Sequence, residues 1–206
     1  MSPDELAALD ADTLASRLGR LLDVAAGDQP VGPGLVDAAV LVPLLDGTGA
    51  HGADGPALLF MRRARDLPDH AGQVAFPGGV RELGDATLRD TALREASEEV
   101  AVAPGDVRLL GPLPRVSTLA KYSIQPFLSL WPPGRYGVAS PAEVDHVFQV
   151  PLAWLAAPAN SEETEIALPG GRRLRVPAWL WEGEVIWGAT RRITLTLLDL
   201  VAALRS

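Results

Sequence analysis

Apolar positions recur along this chain in two rhythms, and the changes of rhythm divide it into elements. From Leu6 to Leu22 the leucines fall at helical spacing behind Ser2-Pro3-Asp4-Glu5, which predicts an N-terminal helix starting at a capping serine. Gly27–Gly34, with two prolines, reads as a linker. Ala38–Leu45 and Ala57–Arg63 are near-continuous apolar runs and predict strands joined by the glycine-rich loop Asp46–Gly55. Gln73–Phe76 predicts a further short strand, followed by a turn at Gly78-Gly79. The period then becomes helical, with Leu88, Ala92, Leu93, Ala96 and Val100 forming one stripe. Val107–Leu110 and Tyr122–Leu130 predict strands, and Pro132–Pro141 a loop. Thr164–Leu168 and Arg173–Val176 flank Pro169-Gly170-Gly171 as a hairpin; Glu184–Trp187 is a short strand, and Thr190–Leu204 a closing helix.

Composition narrows the classes. A chain of 206 residues suffices for one domain with a sizeable core, and with 48 % hydrophobic but only 5 % aromatic residues that core must be aliphatic. There is no cysteine, which excludes disulfides and thiol chemistry. No apolar run approaches the ~18 residues of a membrane-spanning helix. Met1–Leu22 lacks the basic start and apolar block of a secretory signal, so a cytoplasmic location is the default expectation. A formal charge of −8 argues against nucleic-acid binding. It also means that an anionic substrate would have to be drawn in locally, by a metal ion or a few arginines.

The chemistry concentrates in Arg94-Glu95-Ala96-Ser97-Glu98-Glu99. Glu95, Glu98 and Glu99 are three and four residues apart on one helix, on a sector about 100° wide beside the apolar stripe. Crowded carboxylates repel unless a cation lies among them, and hard oxygen ligands suit Mg²⁺ or Mn²⁺, which share coordination with substrate phosphates. A charge run by itself usually marks a solvated helix face. Here the glycine pair Gly78-Gly79, which lets backbone approach a ligand, and the embedded Arg94 point instead to a metal platform for a phosphoanhydride.

The stretch Gly78–Val102 resembles the Nudix hydrolase box: a glycine, an acidic residue, then Arg-Glu, an aliphatic, any residue and Glu-Glu. It departs from the box in two places. Asp85 stands where glutamate is usual and lies one residue farther from Arg94, and Ala101 replaces the closing glycine. Either Ala101 takes up a left-handed cap at a cost of roughly 1 kcal/mol, or the helix runs on toward Pro104-Gly105. Upstream, Leu58–Arg63 and Leu67-Pro68-Asp69-His70-Ala71-Gly72-Gln73-Val74-Ala75-Phe76-Pro77-Gly78-Gly79 are similar to the coenzyme A pyrophosphatase branch. Tyr122–Phe127, Glu143-Val144 with Val147–Leu152, and Ile186–Thr190 extend that similarity, while Pro68 and Ala64 depart from it.

The resemblance implies an α/β fold, a Nudix-type α/β/α sandwich with a mixed sheet and an added N-terminal helix. Residues 1–34 would form an appendage and linker, and 35–206 the hydrolase domain. It implies a Mg²⁺- or Mn²⁺-dependent enzyme acting on a small-molecule nucleotide, coenzyme A or acyl-coenzyme A. The products would be 3′,5′-ADP and (acyl-)4′-phosphopantetheine. Glu95, Glu98 and Glu99 would hold metal, with Arg94 orienting a box glutamate. Arg63, His70, Gly78 and Gly79 would meet substrate, and Glu143, outside the box, would be a general base or an extra ligand. Trp154, Trp179, Trp181 and Trp187 read as core or loop anchors, and Arg172-Arg173 as a hairpin edge or a second phosphate contact. Rival readings are a Nudix hydrolase of a nucleoside triphosphate, a dinucleotide or ADP-ribose, and a non-catalytic nucleotide sensor. Neither a nucleic-acid partner nor a membrane is expected, and the N-terminal helix could equally cover the site or join a homodimer.

Overall fold

Period-2 alternation on one long strand organises the molecule. The computed structural model describes residues 1–25, 34–47, 55–118, 121–167, 171 and 173–204. Most of the expected linker Gly27–Gly34, the centre of the Asp46–Gly55 loop, the tip at Pro169-Gly170 and Arg172 lie outside the described residues. Strand β1, Val36–Asp46, is buried over nearly its whole length. Its Ala39, Leu41 and Leu45 enter one apolar cluster, while Val40, Val42 and Leu44 enter another on the opposite face. A strand buried on both faces has no need of polar alternation, which is why this run reads as continuously apolar.

β1 pairs antiparallel with β2, Pro56–Arg63, and in parallel with β7, Tyr122–Leu130. β2 carries the two-residue β3, Val74–Ala75, and the antiparallel β8, Val144–Pro151. β4, Gly78–Val80, pairs with the start of β1, while β5, Arg108–Pro112, and β6, Val116–Ser117, pair with β7. The result is a mixed eight-stranded sheet with helices on both sides. Helix α3, Leu88–Val100, covers one face through Leu88, Ala92, Ala96 and Val100. The other face receives α1, Pro3–Ala7; α2, Ala11–Leu18; α4, Leu152–Ala156; and α5, Gly188–Ala203. The expected α/β/α layering is therefore the observed one.

A second, three-stranded sheet contains β9, Ser161–Ala167, β10, Arg173–Trp181, and β11, Glu184–Ile186. It is joined to the first by the fully buried Trp179 and by Arg62 on β2, whose Nη1 lies 2.7 Å from Glu184 Oε2. Trp154 and Trp181 meet edge-to-face at 4.8 Å between centroids, an anchoring role like that expected for the tryptophans.

Three sequence expectations need correction. The N-terminal leucines form two helices rather than one, because Asp10 takes an extended backbone and caps a new helix by accepting the Thr13 N–H at 2.6 Å. The first helix starts as expected, with Ser2 and Glu5 in a capping box. Leu6, Leu14 and Leu18 are buried in the main core. Gly78-Gly79 is not a turn but the first two of the three residues of β4, paired with β1. Finally, Val144–Pro151, for which the apolar rhythm predicts no strand, is a full strand.

Helix α3 ends at Val100, and Ala101 adopts φ 57° and ψ 22°, so the left-handed cap is realised without glycine. Ala101 is exposed, and its strain has no packing to offset it. Ala101→Gly is expected to raise stability by about 0.5–1 kcal/mol, measured by denaturant unfolding. A variant less stable than the parent would contradict the strained-cap assignment.

Candidate active site

The site forms where β1 begins, β2 ends and α3 crosses the sheet. A capping box at Thr87 and Asp90 starts α3 and fixes its first turn. Its apolar stripe then dictates which way the rest faces. Burying Ala92, Ala96 and Val100 turns Glu95 and Glu99 toward the edge of the sheet and leaves Glu98 in solvent.

Gly78 and Gly79 meet these carboxylates. The Gly78 N–H donates to Glu99 Oε2 at 2.9 Å. Gly78 lies at φ 151°, and a Cβ there would stand 2.2 Å from the Ala39 carbonyl oxygen and 2.5 Å from Val40 Cα. A Cβ on Gly79 would fall 2.5 Å from Glu95 Oε1. The pair is thus the only residue type that lets β4 lie against β1 and the glutamates together. Arg63, at the end of β2, places Nη1 3.7 Å from Glu99 Oε1.

Arg94 occupies the middle of an acidic group. Its Nε and Nη2 donate to the two oxygens of Asp85 at 3.0 and 3.1 Å, and Nη1 donates to Glu98 at 3.0 Å. Nη2 is also 3.0 Å from Glu95 Oε1, and Glu82 lies 3.8 Å away. Asp85 is buried and additionally accepts the Thr91 hydroxyl and the Glu82 N–H. The Arg94 guanidinium holds the Asp85 carboxyl well below the usual carboxylate range, and Arg94 itself is pushed upward. The departure from the box at Asp85 therefore leaves its pairing to Arg94 intact, and sequence reasoning had assigned that residue no role. Its box position was the available signal.

Burial raises Glu95, against the pull of Arg94, and pushes Glu99 up to about 8. Neighbouring carboxylates, Glu143 among them, push both further in that direction. Among the described residues no three acidic or imidazole side chains gather on one metal-binding point, because Glu98 is drawn to Arg94 and Glu99 to the Gly78 N–H. The donor set nevertheless fits a hard divalent cation: three carboxylates one turn apart, two of them disfavoured as bare charges.

Glu143 is exposed at the start of β8, its carbonyl accepting the Ala64 N–H next to Arg63. His70 takes its partners from its own loop and from β7. It lies at φ 55° in the loop between β2 and β3, with Nδ1 3.1 Å from Gln73 Oε1 and its ring 6.5 Å from that of Tyr122. Arg173 pairs with Glu165 across the β9–β10 hairpin.

The model of the NUDIX domain matches residues 35–169. The protein called Uncharacterized Nudix hydrolase NudL in Photorhabdus laumondii is 37% identical over 156 residues, spanning 76% of this chain and 80% of that one. Its namesake in Salmonella paratyphi B is equally similar, over 76% and 78%. Among solved structures, a Nudix hydrolase from M. smegmatis, RenU, superposes with a TM-score of 0.53 at 15% identity, covering 85% of this chain and 98% of its own, a likeness of fold.

Two predictions follow from the geometry. Gly79→Ala should fold, since the obstructing atoms end a flexible side chain, but it should displace the Glu95 carboxylate from Arg94. Gly78→Ala meets backbone and should lose at least ~3 kcal/mol of stability. Equal unfolding midpoints for the two variants would contradict this contrast.

Asp85 stays ionised in the folded chain at pH values where the unfolded chain binds its proton. Its contribution is therefore complete above about pH 5 and is lost as pH falls toward its depressed folded pKa. Asp85→Asn should cost about 3 kcal/mol at neutral pH and flatten the decline in stability between roughly pH 5 and 2. Parallel stability curves for parent and variant would remove this role.

Proposed function

The chain belongs to the NUDIX domain family, and from that membership we propose that it is a Mg²⁺- or Mn²⁺-dependent hydrolase of the diphosphate in coenzyme A or acyl-coenzyme A. The products are 3′,5′-ADP and 4′-phosphopantetheine or its acyl form. One observation carries the hydrolase reading: Glu95 and Glu99 of α3 stand against Gly78-Gly79, with Arg63 alongside. The coenzyme A assignment draws its support from the Leu67–Gln73 loop and Arg63, which resemble that branch.

Residues 35–206 make up the catalytic domain in this reading, with 1–34 added to it. Glu95, Glu98 and Glu99 hold the cation through their carboxylates. When bound, the cation neutralises the diphosphate and polarises its phosphoryl oxygens. Arg94, locked by Asp85, orients Glu95 and opposes the upward push of burial on its carboxyl. Gly78 and Gly79 allow the backbone close to the diphosphate, and Arg63 binds a phosphate oxygen. Water adds to one phosphorus in line and the anhydride P–O bond breaks, with Glu143 accepting a proton from the water. His70 and its loop contact the part of coenzyme A beyond the diphosphate.

Coenzyme A, dephospho-coenzyme A, ADP-ribose, a diadenosine polyphosphate and a nucleoside triphosphate, assayed side by side with products identified by mass spectrometry, test this reading. Coenzyme A should have the highest kcat/KM, and activity should stop in excess chelator. Glu98→Gln and Glu99→Gln should each lower kcat at least ~100-fold with little change in folding. Faster cleavage of another substrate would keep the family and discard coenzyme A; near-normal turnover in both variants would discard the carboxylate platform.

A further inference from the structure

We propose that the irregular segment between β7 and β8 is a strap that fixes Glu143 beside the box glutamates, with Tyr136 and Ser140 as its positioning residues; this rests on Glu143 being the proton acceptor. An exposed glutamate at the end of a loop of this length would ordinarily sample many positions, whereas a proton acceptor must stay within hydrogen-bonding reach of the water it serves. Here the backbone leading to Glu143 is held at successive points.

The strap leaves the sheet at Trp131, whose N–H donates to the Leu44 carbonyl at 2.9 Å and whose indole N–H donates to Ser129 Oγ at 2.9 Å. The Tyr136 ring packs on that indole at 6.2 Å between centroids, and its hydroxyl accepts a hydrogen bond from Gln149 of β8. The chain then crosses the end of α3. The Gly137 N–H donates to the Val100 carbonyl at 2.9 Å, and the Ala139 N–H to the Glu99 carbonyl at 3.0 Å. These carbonyls belong to the last turn of α3, which has no helical N–H for them. The strap is thereby fastened to the very residue whose carboxylate it must face.

Ser140 closes the path. Its carbonyl accepts the N–H groups of both Glu143 and Val144, at 3.0 and 2.8 Å, and its Oγ donates to Glu143 Oε1 at 3.4 Å. On the far side, the Glu143 carbonyl accepts the Ala64 N–H at 2.8 Å, directly after Arg63. Tyr136 sets where the strap lies, and Ser140 sets where the carboxylate points.

The test measures kcat and KM for Tyr136→Phe and Ser140→Ala, each alone and combined with Glu143→Gln. The probe is the best-cleaved diphosphate of the panel above, with Mg²⁺. Hydrogen–deuterium exchange across residues 132–144 is followed in parallel. Each single variant should lower kcat roughly 10-fold with KM nearly constant, in line with misplacement of a reacting group. Ser140→Thr should restore most of the loss, and neither change should slow the Glu143→Gln enzyme further. Exchange at Gly137 and Ala139 should quicken in Tyr136→Phe while α5 stays protected. Losses that multiply with Glu143→Gln, or unaltered kcat and exchange, would overturn the strap. Full turnover by Glu143→Gln would also overturn it while leaving the diphosphate hydrolase reading standing. A parent enzyme inactive on every substrate would instead remove that reading, and unaltered exchange in Tyr136→Phe would then dispose of the strap independently.

Discussion

The guanidinium of Arg94 is what allows a helix this acidic to lie on an apolar sheet. Helix α3 must bury Leu88, Ala92, Ala96 and Val100, and doing so carries the Glu95 and Glu99 carboxyls toward the interior. Removing carboxylates from water is costly unless they are paired or hydrogen-bonded. Arg94 reaches Asp85, Glu95 and Glu98 at 3.0 Å each, and the Gly78 N–H takes part of Glu99. Because Asp85 binds the guanidinium through two oxygens, the orientation of Arg94 is decided by a residue outside the helix. The fold of the loop before α3 and the electrostatics of its middle are one problem with one solution.

Much of the scaffold was legible because burial on both faces leaves a simple signature. Tyr122–Leu130 is a strand with the expected bounds, and β1 and β2 differ from expectation by a residue or two at their ends. The helical stripe of α3 was equally plain, with Leu93 alone only partly buried. The strand β8 escaped notice because Asp145, His146 and Gln149 interrupt its apolar rhythm, and those residues face neighbours rather than core. The break at Asp10 was hidden by leucines whose spacing happens to continue across two helices.

The site divides similarly. Spacing along a helix brings Glu95, Glu98, Glu99 and Arg94 together without any tertiary knowledge. Gly78 and Gly79 are recognisable as special from the sequence, but the strand pairing with β1 and the fit to Glu95 that their lack of a side chain permits are tertiary facts. The contact of Arg63 with Glu99, and the link from Ala64 to Glu143, join residues distant in sequence, and no local pattern encodes them. His70 is a single loop histidine in the sequence, and no local pattern encodes its left-handed backbone or its contacts with Gln73, whose carbonyl accepts the Arg63 N–H, and with Tyr122.

The sheet's pairing has a consequence for how the chain assembles. Val36 pairs with Tyr122 and Ala57 with Pro151, so the central strands meet only after long stretches of chain have closed. Such non-local pairings slow folding, because loop entropy is lost before the contacts that reward it exist. Helix α3, with its own capping box, can form from local contacts alone. Its acidic face thus needs no strand pairing to form, and its glutamates stay hydrated wherever β1 and β4 have not closed around them.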